Sequence, residues 1–140
     1  MGNQSNVGQP LVQASLIGEA IDGGPVAVFV ADEELRFLAV NGFATAVLGY
    51  ERDEVLALAV TDLSPDPDVR QRVRDLLRSG TRLDGVTELR AKDGRLVRFE
   101  RRAQRAAIAG MTVFVWAGWP VDERPSPPRA PRRRSGRAPA

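Results

Sequence analysis

Neither cysteine nor histidine occurs anywhere in the 140 residues of this chain. Without them the usual nucleophile–base pairs of covalent catalysis cannot be built, and neither can ordinary zinc sites. A serine–lysine dyad has a single candidate lysine, Lys92. Because the parts of most hydrolase and oxidoreductase mechanisms are missing, we expect a protein that is not an enzyme and that has no metal site.

Long apolar runs are missing as well. No run approaches the roughly 20 residues that are needed to span a bilayer. The first ten residues are polar and uncharged, so the basic start and apolar centre of a secretory signal are also missing. These two absences predict a cytoplasmic protein without a membrane span.

Acidic residues are missing from the C-terminal end, where residues 124–137 contain six arginines. The whole chain has a net charge of +2. Without those six arginines there are 14 basic and 18 acidic residues, so residues 1–123 have a net charge of −4. The basic character belongs to the Pro/Arg-rich segment 123–140. This segment cannot bury enough apolar surface to offset the entropy lost on ordering, and we predict a disordered tail.

The rest of the chain shows the apolar periodicities of one α+β domain. Residues 1–9 have no periodicity and are predicted to be a disordered lead. Residues 10–122 are predicted to form the domain, with an N-terminal helix at 10–22 and a core at about 25–122. The strands predicted in the core are 26–31, 35–40, 85–90, 96–107 and 111–119. The helices predicted in the core are 42–48, 51–58 and 68–78. Two strands separated from three by short helices predict a five-stranded antiparallel sheet with the helices on one face.

Several local strings, in this order and spacing, resemble those of PAS domains over about residues 18–122. The similar strings are AVFVAD at 27–32, VNGFA at 40–44, LGYERDEVL at 48–56 and RAKDGR at 90–95. Two features depart from the family pattern. Gly42 stands where the family motif has proline, and WPVDER at 119–124 replaces the frequent family ending that continues into a signalling helix. Because proline breaks helices, we expect no rigid output helix and a stand-alone PAS protein.

The resemblance implies a sensory module that binds a small ligand or a partner protein and signals through dimer or partner contacts. The haem type of PAS domain uses a histidine ligand, and the photoreceptive flavin and coumaric-acid types need a cysteine. Neither residue is present here. Noncovalent flavin, another small metabolite and an empty pocket remain open.

The resemblance also implies a ligand pocket between the sheet and the helices. The candidate pocket residues are Val28, Val30, Leu38, Val40, Phe43, Val47, Leu63, Val73, Leu77, Phe99, Arg101, Phe114 and Trp116. Mutual packing of these residues without any ligand is the alternative interpretation. Asn41 is predicted to cap the helix that follows it.

Arg101 is the most informative single residue of this set. Strict alternation along the strand places Val97, Phe99, Arg101 and Ala103 on one face. An arginine among core residues needs a partner, because an unpaired buried charge is costly. One hypothesis is that Arg101 forms a salt bridge with a carboxylate or phosphate of a ligand. The alternative is that Arg101 lies near the exposed end of the strand or pairs with an internal acid.

Two of the predicted strands, 26–31 and 111–119, are apolar on both faces. Helices of the domain can cover one face, while the N-terminal helix or a second subunit must cover the other, so we predict a homodimer. The alternative function is a nucleic-acid-associated regulator, in which the PAS domain dimerises and the Arg-rich tail binds nucleic acid or an anionic surface. Deletion of the tail would abolish retention of nucleic acid only in that second case.

Overall fold

The computed structural model describes residues 2–121, with side chains from Val12 onward. The helices are α1 (Gly2–Asp22), α2 (Gly42–Leu48), α3 (Arg52–Leu56), α4 (Val60–Leu63) and α5 (Val69–Ser79). The strands are β1 (Ala27–Ala31), β2 (Phe37–Val40), β3 (Leu83–Arg90), β4 (Leu96–Ile108) and β5 (Met111–Pro120). The predicted tail, 123–140, lies outside the described residues. No helix within residues 2–121 combines the length and the apolar character that crossing a membrane requires.

The five strands form one antiparallel sheet in the order β2-β1-β5-β4-β3. The first strand therefore pairs with the last near the middle of the sheet, where Phe29 lies opposite Trp116. This arrangement confirms the predicted fold class, a five-stranded antiparallel sheet with short helices.

The core lies between one face of the sheet and the helices. Along β1, Ala27, Phe29 and Ala31 are buried, whereas Val28 and Val30 are only half-buried. Buried residues of the helices and their connections complete the core. They include Leu48, Val55, Leu63, Val73 and Leu76.

The C-terminal end of α5 is stabilised by the glycine that follows it and by an arginine of the sheet. At the C-terminal end, Gly80 adopts a left-handed conformation with a φ of 77°, which glycine tolerates without steric cost. The guanidinium of Arg105 donates a hydrogen bond of 3.1 Å to the carbonyl oxygen of Leu77, one of the last carbonyls of the helix. Arg105 thus links α5 to the sheet, and this link positions the helix over the sheet.

Two helices differ from the sequence prediction. Helix α1 begins at Gly2, whereas the prediction has a lead at 1–9 and a helix from residue 10. Residues 2–9 contain no repeat of apolar residues that could indicate a helix. Helix α4 is a single turn that overlaps the start of the proline-containing segment 61–67, which we predicted to be a connection. Its start is stabilised by Asp62, whose carboxylate accepts a 2.9 Å hydrogen bond from the backbone N–H of Ala59.

Candidate functional site

A cavity of about 60 Å³ lies between the sheet and helices α4 and α5. That volume holds a few water-sized groups. The lining is mostly apolar and includes four aromatic rings, those of Phe29, Phe37, Phe114 and Trp116. The polar residues that converge on it are Ser64, Asp66, Arg72, Thr87 and Arg101. Apolar walls with a few convergent polar groups are typical of a small-molecule site.

The aromatic wall of the cavity is held by ring contacts inside the core. Trp116 packs edge-on against Phe29, with ring centroids 5.3 Å apart, and against Phe99, with centroids 5.2 Å apart. Phe29 in turn packs against Phe37 at 5.2 Å. Such aromatic pairs stabilise beyond their buried area. The wall is therefore fixed by packing before any ligand is present.

An ion pair between Asp66 and Arg72 lies at the exposed rim of the cavity. One carboxylate oxygen of Asp66 accepts a 2.9 Å hydrogen bond from the backbone N–H of Asp68, and the other accepts a 2.6 Å bond from Nε of Arg72. These two bonds, the Asp68 N–H first, lower the pKa of Asp66, and Asp66 raises the pKa of Arg72. Because the two charges match, the rim is electrically neutral.

Arg101, in contrast, is a charged residue of the cavity whose side chain lacks a matching partner in the described part of the chain. Its Nη1 atom is buried and has no hydrogen-bond partner within residues 2–121. Burial lowers the pKa of Arg101; the negative charge of Asp84 opposes this effect, and the positive charge of Arg72 adds to it. Arg101 is thus a half-buried residue whose one buried nitrogen, Nη1, lacks the partner that a buried charged group normally requires.

The strand residues on either side of Arg101 are both glycines, Gly85 of β3 and Gly118 of β5. A Cβ atom at Gly118 would lie 2.9 Å from the ring of Trp116 and 3.0 Å from the Cβ of Arg101. Any larger residue there would displace the tryptophan or the arginine. Gly118 is therefore needed for Arg101 to lie beside the aromatic wall.

The cavity lining includes only part of the predicted pocket. Five predicted residues line it: Leu63, Val73, Arg101, Phe114 and Trp116. Five others lie in the core or pack against it without reaching the cavity: Val40, Phe43, Val47, Leu77 and Phe99.

Three predicted pocket residues lie outside the cavity and are corrected here: Val28 and Val30 lie on the opposite face of the sheet, and Leu38 is an exposed residue at the bulge in the β1–β2 pairing. The segment AVFVA is apolar at every position, so alternation alone cannot identify its inner face. Leu38 is 42 % exposed, while its neighbour Phe37 points inward. The cavity residues Phe29 and Phe37 were missed for this reason. The ion pair of Asp66 and Arg72 was also missed, because it forms across a proline-containing turn and has no sequence signature.

A second polar cluster joins α1 to the domain, and we call it the α1 junction; it consists of Asp22, Asn41 and Arg52. Oδ1 of Asn41, the predicted cap, accepts hydrogen bonds from the backbone N–H groups of Ala44, at 3.2 Å, and Val28, at 2.9 Å. Its Nδ2 donates to two carbonyl oxygens, each at 2.8 Å, those of Ile21 and Val26.

Asp22 completes the α1 junction. Its Oδ1 accepts a 2.9 Å hydrogen bond from the backbone N–H of Gly42 and a 3.0 Å bond from Nη2 of Arg52. Arg52 also donates, through Nε, to the carbonyl oxygen of Val40. The C-terminal end of α1 is therefore fixed to β1, β2 and α2 by directional bonds.

Comparison with solved structures gives several similar folds. A PAS domain of an HTR-like protein from Haloarcula marismortui is 19 % identical, with a TM-score of 0.69, and the match covers 84 % of this chain and 99 % of that one. A PAS domain from a two-component sensor histidine kinase is 16 % identical, with a TM-score of 0.66 and coverage of 81 % and 100 %. An RNA-binding light-oxygen-voltage receptor is 21 % identical, with a TM-score of 0.62, and the match covers 78 % of this chain and 33 % of that one.

Sequence comparison supports the same assignment. A search of curated proteins found no match. The family model of the PAS domain, however, matches residues 25–117, which run from the start of β1 into β5 and include every strand and helix around the cavity. The predicted resemblance is thereby confirmed, and the chain belongs to the PAS domain family.

Proposed function

We propose that this chain is a sensory signal-transduction module that binds a small molecule in the cavity between its sheet and helices α4 and α5. The observation that carries the proposal is the cavity itself, with aromatic walls already packed in place and a few polar groups converging on it. A PAS domain of a sensor histidine kinase is among the similar structures, and this likeness supports a sensory role. In this proposal the chain acts by binding and not by catalysis.

The signal would leave the cavity through β1. Phe29 lines the cavity, and the backbone N–H of its neighbour Val28 donates to Asn41 in the α1 junction. A ligand that displaces the Phe29 ring therefore also strains the bond that holds the end of α1. This short path connects cavity occupancy with the position of α1.

The proposed output is a change in the contacts of a homodimer. Four apolar side chains of α1, which we call the α1 apolar stripe, are exposed. They are Val12, Leu16, Ile17 and Ile21, with exposures of 57 %, 62 %, 60 % and 40 %. A contiguous apolar surface of this kind favours a protein partner. A second copy of the chain is the occupant that we propose.

Native mass spectrometry of the freshly purified full-length protein tests this function. We expect a dimer that carries a discrete additional mass. The matched variant Ala103→Leu fills the cavity from its buried floor and should lose that mass while remaining a dimer. Ala107→Leu, at an exposed position of the same strand, should keep it.

A dimer without any additional mass would contradict the ligand-binding part of the proposal and would favour a module for protein contacts alone. The alternative of nucleic-acid binding depends on the basic tail, which lies outside the described residues. A bound mass that is sensitive to nuclease and absent after tail deletion would support that alternative.

A further inference from the structure

The charge inside the cavity has consequences for what the cavity can bind. Arg101 lines the cavity, and its Nη1 is buried without a hydrogen-bond partner in the part of the chain that the structure describes. A buried donor left unsatisfied costs free energy, and the cost is higher when the group is charged. The site therefore gains most from a ligand that supplies an acceptor, and most of all from one that is negatively charged.

Two carboxylates near the cavity, Asp84 and Asp66, are already engaged with other arginines. Asp84 contacts Arg82 at 3.0 Å and Arg102 at 3.6 Å. Asp66 is held by Arg72 at the rim. The cavity consequently has one unmatched positive charge.

The side chains around Arg101 indicate the chemical character of the part of the ligand that does not contact the arginine. Trp116, whose ring belongs to the aromatic wall, lines the cavity together with Arg101, and the two flanking strand positions are glycines. The glycines place no side chain beside Arg101 at either flanking strand position. A short apolar body would contact the aromatic wall while an acidic group reaches Arg101.

We propose that the cavity selects a small monocarboxylate with a short apolar body, and that Arg101 binds the carboxylate. This inference rests on the proposed function, because it specifies the ligand class of the same cavity. One unmatched charge favours a monoanion over a phosphate dianion, and a volume of about 60 Å³ favours a body of a few heavy atoms, smaller than an aromatic ring.

The probes for the test are acetate, propionate and isobutyrate, each paired with its primary amide as a neutral molecule of the same shape. Binding to the full-length protein is measured by calorimetry at concentrations up to the millimolar range. The chain has two tryptophans, and only Trp116 lies in the cavity wall. A second readout uses the variant Trp119→Phe, in which Trp116 is the remaining tryptophan. Its fluorescence reports binding from the cavity itself.

We expect at least one acid to bind about tenfold or more tightly than its amide, the preference typical of a charge-assisted hydrogen bond. Arg101→Gln should abolish this preference, and Arg101→Lys should retain part of it because the charge remains. Arg98→Gln removes an exposed arginine from the other face of the same strand and should change nothing. Circular dichroism and urea unfolding establish that each variant is folded.

Equal binding of acids and amides to the wild type and to Arg101→Gln would overturn this inference while leaving a ligand-binding cavity in place. If no acid binds, the inference is also overturned. The native mass spectrum then separates the two proposals. A bound neutral molecule would preserve the proposed ligand-binding function, whereas the absence of any bound molecule would contradict both proposals.

Discussion

At the scale of the residue, Asn41 uses both polar atoms of its side chain in the fold. Oδ1 accepts from Ala44 and Val28, and Nδ2 donates to the carbonyl oxygens of Ile21 and Val26. One side chain thus caps α2, holds the start of β1 and attaches α1. Asn41 is one residue before Gly42, where the chain departs from the family motif, and the cap does not require the proline.

Asn41→Ala should lower the free energy of unfolding by about 2–3 kcal/mol, because a cap is lost and buried backbone groups of β1 lose their partner. Asn41→Asp keeps the acceptor but loses the two bonds that Nδ2 donates, so we expect an intermediate loss. Urea denaturation of the three proteins measures both differences. An Asn41→Asp protein as stable as the wild type would show that the bonds to Ile21 and Val26 contribute nothing.

Asn41 and Arg101 also show how far single residues can be interpreted from sequence. An asparagine before a short apolar helix predicts a cap, and strict alternation around Arg101 predicts an inward side chain. The structure places both residues accordingly. The additional bonds of Asn41 to α1 and β1 join segments 13 to 20 residues apart, and no local pattern specifies them.

At the scale of the element, the start of α5 depends on the ionised carboxylate of Asp66. Its pKa in the folded protein is lower than its ordinary value of 3.8. The folded state therefore binds the proton more weakly than the unfolded chain, so this contribution to stability is complete above the unfolded pKa. It is lost as the pH falls below about 4 and through the lowered folded pKa.

Asp66→Asn should remove this part of the acid dependence. The difference in urea midpoint between wild type and variant should be present at pH 7 and should vanish below the lowered pKa. Arg72→Gln should retain more of the acid dependence than Asp66→Asn, because the N–H of Asp68 is the larger cause of the lowered pKa. A wild-type midpoint that tracks Asp66→Asn in parallel down to pH 2 would contradict this account.

Elements differ in how much of their orientation the sequence specifies. In β4, apolar Val97, Phe99 and Ala103 alternate with charged or polar residues, so the inner face is predictable and the structure agrees. In β1 every position is apolar, and the inner face depends on pairing with distant β5. The cavity wall built from Phe29 could therefore not be derived from β1 alone.

At the scale of the whole molecule, the proposed assembly depends on the α1 apolar stripe. The double substitution Leu16→Glu and Ile17→Glu should convert a dimer into a monomer, because four carboxylates would be buried at the symmetric interface. The stability of the isolated domain should change by no more than about 0.5 kcal/mol, since both residues are exposed. Light scattering at high micromolar concentration measures the mass.

The matched control for this experiment is Leu96→Glu, an exposed apolar residue, 41 % accessible, at the start of β4. It should leave the dimer intact. A wild-type protein that is monodisperse and monomeric at high micromolar concentration would contradict the proposed output through α1.

The pairing of the first strand with the last also determines when this domain can fold. Phe29 and Trp116 face each other across β1 and β5 although they are 87 positions apart in the chain. Contacts of such long range slow folding, and the isolated β1–β2 hairpin is too small to be stable alone. During synthesis the sheet cannot close until β5 has left the ribosome, so the aromatic wall, the cavity and the position of Arg101 all arise together and late.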